Sequence, residues 1–193
     1  MSRRDRARRR RAVWGGIAVL IGLGLAFLIA SGTFDKAIKE LTLPLRHEDV
    51  IRQQAKEKNV DAALIAAVIY AESKFEDQES SAGARGLMQI TPDAADTIAK
   101  NSEATSFELE DLGDPEINIR YGTFLLRELL DRYEGDEAAA LAAYNAGPGN
   151  ADEWGGADLT VEEIPFPETR AYVEEVLEKR DEYRRKYARE LGY

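Results

Sequence analysis

The stretch Ala62 to Ala71 reads AALIAAVIYA, ten residues without a charge. At about 1.5 Å per residue it is too short to cross a bilayer, and it is apolar on every side. Such a segment is satisfied only when other elements surround it. The sequence therefore calls for a domain packed around a buried central helix, and everything else in the chain has to supply its walls.

The flanking sequence offers helices for that purpose. Asp61 precedes AALIAAVIYAES, Thr91-Pro92-Asp93 precedes AADTIAK, Asp114-Pro115-Glu116 precedes INIRYGTFLLRELLDRY, and Asp136 precedes EAAALAAYN. Each places a side-chain oxygen at an N-cap, twice with proline at the first helical position. Pro167 to about Glu190 is charged with helical spacing and predicts a closing helix. Alternation of β-branched residues is nearly absent, so the fold class is all-α. With 193 residues, 44% of them hydrophobic, the chain can build one compact domain plus a short appendage.

The appendage is amino-terminal. Residues 1 to 11 hold seven arginines against Asp5, a local charge of +6, so the total of −10 leaves −16 for everything after them. An uncharged stretch follows from Ala12 to Phe34, with WGGIAVLIGLGLAFLIA at its centre. It is long enough for a single transmembrane helix, and the arginines before it hold that end in the cytoplasm. The expected organisation is a basic cytoplasmic tail (1–12), a transmembrane helix (13–34), a juxtamembrane stalk (35–47) and an extracytoplasmic catalytic domain (48–193) on the periplasm or wall side of the cell membrane. Ala30-Ser31-Gly32 also fits the cleavage site of a signal peptide, but the apolar run is longer than an ordinary signal core.

Composition narrows the chemistry. There is no cysteine and His47 is the only histidine, which leaves no thiolate chemistry and little material for histidine triads or zinc pairs. HExxH and calcium-loop patterns are missing, so no metal and no cofactor is expected. The strongly acidic domain would repel phosphates, which argues against nucleic acid as a partner.

Carboxylates remain, and Glu72 directly follows the central run. At a helix carboxyl end and beside an apolar core, both the unpaired carbonyls and desolvation raise its pKa. An acid still protonated near neutral pH is what a glycosidase uses to protonate a leaving sugar oxygen. Taken alone, Glu72 also fits a solvated residue that merely ends a helix; the decision rests on spacing elsewhere.

Three further patches decide it. Ser73 and Phe75 are followed by Ser80-Ser81-Ala82-Gly83-Ala84-Arg85-Gly86-Leu87-Met88-Gln89-Ile90, then by Ala142-Ala143-Tyr144-Asn145-Ala146-Gly147-Pro148-Gly149, then by Ile164-Pro165-Phe166-Pro167-Glu168-Thr169-Arg170-Ala171-Tyr172-Val173. In this order ES-x-F, GLMQI, AYNAGPG and ETRAYV resemble the motif set of the soluble lytic transglycosylase (SLT) family, over roughly residues 50 to 176. The resemblance implies a lysozyme-like helical domain acting on peptidoglycan glycan strands, with cell-envelope machinery as a further expected partner.

It also implies roles. Glu72 matches the family's single catalytic glutamate, which protonates the bond between N-acetylmuramic acid and N-acetylglucosamine and then deprotonates the muramic acid C6 hydroxyl, giving a 1,6-anhydro product. Ser80, Gln89, Tyr144, Asn145 and Glu168 match residues around the sugar groove. The stretch from Glu72 to Ser80 is one residue shorter than the commonest family spacing, so either Ser80 or Ser81 supplies the binding hydroxyl. Met88 and the glycines read as packing and turn residues. Two alternatives stay open: a goose-type lysozyme-like hydrolase, in which Asp93, Asp96 or Asp114 would activate water, and a non-catalytic wall-binding module.

Overall fold

A computed structural model describes Trp14, residues 40–101 and residues 109–193. The predicted tail and membrane span, Trp14 apart, lie outside the described residues. Among the described residues no helix is long and apolar enough to cross a membrane. The chain divides into two compact units, Met1–Pro44 and Leu45–Tyr193. Of the predicted stalk in the first unit, residues 40–42 are helical.

The second unit is helical, and among the described residues pairing is limited to isolated bridges. It opens with α1 (Glu48–Lys58), which has Glu48 and Asp49 in its first turn and Lys56 and Lys58 in its last, complementing the helix dipole. The central helix α2 (Ala62–Ser73) starts where Asp61 accepts from the backbone N–H groups of Ala63 and Leu64. Every residue from Ala62 to Ile69 is buried. Burying each of Leu64, Ile65, Val68 and Ile69 contributes roughly 1.5–3 kcal/mol relative to exposure.

The walls follow in order: α3 (Pro92–Asn101), α4 (Pro115–Arg132), α5 (Glu137–Ala146), α6 (Pro148–Trp154), α7 (Pro167–Lys186) and α8 (Ala188–Leu191). Helix α2 packs most extensively along α7, and also against α1; α5 bridges α4 to α7. Asp114 and Asp136 cap α4 and α5 as their positions predict.

Two elements differ from expectation. Gly-Pro-Gly is not a loop: Gly147 ends α5 and is also the N-cap residue of α6, with Pro148 at the first position. A φ of 88° at Gly147 makes this one-residue joint possible. The closing helix stops at Lys186 rather than near Glu190, because Tyr187 leaves helical geometry at φ −128° and buries its ring against Tyr183.

Candidate active site at the carboxyl end of the central helix

Glu72 occupies the last turn of α2, so its carboxyl group is carried to the edge of the core. Burial raises its pKa from 4.5 to about 7, opposed by the Tyr172 hydroxyl, which favours the ionised form. Of the two effects expected to raise it, burial is the one the structure shows. The helix-end carbonyls are largely partnered: Ser73 Oγ donates to Ile69 O at 3.1 Å and Lys74 N–H to Tyr70 O at 3.0 Å.

Two phenols stand close enough to interact with this carboxyl. Burial raises the pKa of Tyr144 well above its ordinary value, and the charge of Glu72 raises it further. Tyr172 is raised for the same two reasons, in the same order. Their hydroxyls are used differently. Tyr144 donates to the Met88 carbonyl at 2.9 Å. Among the described residues the buried Tyr172 hydroxyl has no hydrogen-bond partner of regular geometry, which leaves its proton available to the neighbouring carboxylate.

An open cleft of about 280 Å³ is lined by Ala71, Glu72, Ser73, Lys74, Glu76 and Gln78. Its rim is the loop from Lys74 to Ile90, which several side chains pin, Asn118 with the most bonds. Asn118, fully buried on α4, accepts from Met88 N–H at 2.8 Å and donates to the carbonyls of Arg85 (2.9 Å) and Leu112 (3.0 Å). Gly86 lies against it at φ 76°; a Cβ there would fall 2.1 Å from the Asn118 Nδ2 and 2.4 Å from Leu112 O. Met88 is buried and fills the space over Gly122, consistent with a packing role. Ser73 Oγ reaches across to Leu87 O at 2.7 Å and ties the helix end to the same loop.

The remaining candidates divide. Ser80 shapes a turn, its Oγ accepting from Ala84 N–H at 3.0 Å, whereas Ser81 is exposed. Gln89 donates its side-chain amide to the carbonyls of Gln78 and Gly86, both at 2.9 Å, so its donors brace the loop. Asn145 Oδ1 accepts from Thr169 Oγ1 at 2.8 Å, joining the end of α5 to the start of α7. Glu168 stands exposed in the first turn of α7. The structure thus groups Tyr144 with Glu72, places Asn145 beside the α7 start that carries Glu168, and uses Ser80 and Gln89 to build the rim.

Tyr172, Asn118 and Lys74 were not singled out from the sequence. Tyr172 lay inside the ETRAYV segment, one position before buried Val173, and helical spacing alone would have turned it toward the core. None of Asp93, Asp96 and Asp114 lines the cleft; the second carboxylate that does is Glu76. Among the described residues no group of three or more histidine, aspartate or glutamate side chains could hold a metal.

Residues 49–166 match the Transglycosylase SLT domain. The chain belongs to this family. The soluble lytic murein transglycosylase of Escherichia coli K12 is 35% identical over 147 residues, 72% of this chain and 23% of that protein. A membrane-bound lytic murein transglycosylase F from Alcanivorax borkumensis is 34% identical over 118 residues, 58% of this chain and 23% of that protein. The SLT domain described here superposes on an inactive mutant of lytic transglycosylase Slt from Pseudomonas aeruginosa with a TM-score of 0.72, at 32% identity over 78% of this chain and 26% of that one. The 70 kDa soluble lytic transglycosylase of Escherichia coli also gives 0.72, at 33% identity over 82% of this chain and 27% of that one. The chain therefore spans about a quarter of the length of these relatives.

Proposed function

We propose that this SLT-family chain is a peptidoglycan lytic transglycosylase that cleaves the β-1,4 bond between N-acetylmuramic acid and N-acetylglucosamine. The observation that carries the reading is Glu72, buried at the cleft with its pKa lifted to about 7, so that both of its protonation states are populated near neutral pH. Protonated Glu72 gives its proton to the bridging oxygen while the substrate's acetamido group assists departure. Ionised Glu72, favoured by the Tyr172 hydroxyl, then takes the proton of the C6 hydroxyl as that oxygen attacks C1, leaving a 1,6-anhydro end. No water is consumed, and an internal nucleophile gains from high effective concentration.

No carboxylate of the described residues is among the groups that shift the Glu72 pKa, which fits a one-acid route better than a paired one. Ser80 or Ser81, Gln89, Asn145 and Glu168 would border the bound sugars. A single-pass anchor over residues 13–34, with the domain outside the membrane, is supported by the arginine-flanked apolar run and by the membrane-bound relative. The test is mass spectrometry of fragments released from purified peptidoglycan by the full chain. Fragments one water lighter than reducing sugars, absent with Glu72→Gln, support the reading. Reducing-end fragments would move it to a hydrolase with Glu76 as the candidate base.

A further inference from the structure

Two residues beyond Glu72, Lys74 lines the same cleft and is its only cationic lining residue among the described ones. Lys74 has φ 54° at the end of α2, where its N–H bonds to the Tyr70 carbonyl, and its side chain is 63% exposed. The ammonium rests 4.4 Å from the centre of the Tyr70 ring. Lys179 approaches that ring at 5.4 Å, but is committed to Glu182 at 2.7 Å.

Among the described residues the one carboxylate paired with Lys74 is Glu175, at 4.0 Å, with both side chains well exposed. That separation is too long for a hydrogen bond, and an exposed pair of this kind contributes little. Lys74 therefore presents three N–H donors, none hydrogen-bonded among the described residues, over the Tyr70 ring and two residues beyond the acid in the chain. Glu76 lines the same cleft and would repel an anion; Lys74 reverses that at one place.

We propose that Lys74 is a specificity-determining residue that binds a free carboxylate of the peptide stem borne by the sugar whose linkage Glu72 protonates. The inference rests on the transglycosylase reading and adds the feature by which a strand is set in register. An ammonium meeting a carboxylate at hydrogen-bond distance forms a charge-assisted bond, whereas its displaced partner Glu175 returns to water at little cost.

Binding separates this inference from turnover. Full-length Glu72→Gln and Glu72→Gln/Lys74→Gln are titrated with fluorescent glycan strands whose stems carry free carboxylates, and with the same strands after those carboxylates are amidated with methylamine. Amidation is expected to weaken binding to Glu72→Gln by roughly three- to ten-fold, and to leave the double variant, already weakened on native strands, unchanged. Replacing Lys74 by Arg should retain most of the discrimination. Equal losses in both proteins, discrimination that survives Lys74→Gln, or no binding by any variant would overturn the proposal. A wild-type chain that releases nothing while Glu72→Gln still discriminates would instead overturn the lytic reading and leave the carboxylate site standing.

Discussion

At the amino end of the central helix, Asp61 sits among donors; at the other end, eleven residues on, Glu72 sits among groups that do not neutralise it. Burial alone would raise the pKa of Asp61, but Tyr193, Arg184 and the Leu64 N–H outweigh it and hold the carboxyl below its ordinary value. Its Oδ1 receives Ala63 N–H at 2.7 Å and Tyr193 hydroxyl at 2.5 Å, while Arg184 pairs with Oδ2. Among the described residues Glu72 is offered a phenol that completes no regular bond, and its pKa rises to about 7. One helix thus anchors the fold with one carboxylate and keeps the other protonatable near neutral pH. The difference follows from what each end faces: exposed N–H groups at the start, apolar side chains and spent carbonyls at the finish.

The largest expected effect separates the two ends by activity. Replacing Glu72 with Gln should lower kcat/KM by at least about 10³-fold, roughly 4 kcal/mol, since general acid and base action are both lost. Stability should divide by pH window. Because the folded pKa of Glu72 is raised, the folded state holds its proton longer than the unfolded one. Stability is full below about 4.5 and falls as pH rises to about 7, by on the order of 3 kcal/mol in all. Glu72→Gln should therefore match the wild type at pH 4 and exceed it in denaturant midpoint at pH 8.

Asp61 behaves in the opposite sense. Its folded pKa lies below 3.8, so its contribution is present above that pH and is lost as pH falls through the folded value. Before that, a test of the rim comes next in size: Asn118→Ala strips partners from Met88 N–H and two carbonyls and should cost about 3 kcal/mol in urea unfolding. Asp61→Ala should cost about 2 kcal/mol through its cap and its Arg184 pair, while activity per folded molecule is retained. If that activity fell as far as in Glu72→Gln, the division between the ends would collapse. The smallest effect is expected from Tyr172→Phe, about ten-fold in kcat or roughly 1.4 kcal/mol. Its pH profile should move upward, because the group favouring ionised Glu72 is gone, and by the same linkage stability should hold at pH 4, where Glu72 is protonated, and fall slightly at pH 8.

Much of this contrast was legible in the sequence. Capping aspartates mark the starts of α2, α4 and α5 because their side chains accept local N–H groups, an interaction written within three residues. Glu72 was legible because ten apolar residues before it guarantee a buried neighbourhood. Tyr172 and Asn118 were not, since their importance comes from contacts with Glu72, 100 residues away, and with the loop residue Met88, 30 residues away. The helix after Gly147 was missed because its glycines read as turn residues, although Pro148 at a first helical position starts a helix. Ser80 and Gln89 were identified as groove residues by resemblance; that they also spend polar atoms on the turn and loop carbonyls depends on the folded loop.

The central claim is that burial keeps Glu72 half protonated near neutral pH. The direct measurement is a ¹³C carboxyl titration by NMR of the full chain carrying labelled glutamate, with Glu72 assigned from the signal missing in Glu72→Gln. A midpoint near 7 is the predicted result. A midpoint at the ordinary glutamate value of about 4.3 would mean a solvated, ionised side chain and would contradict its assignment as the acid.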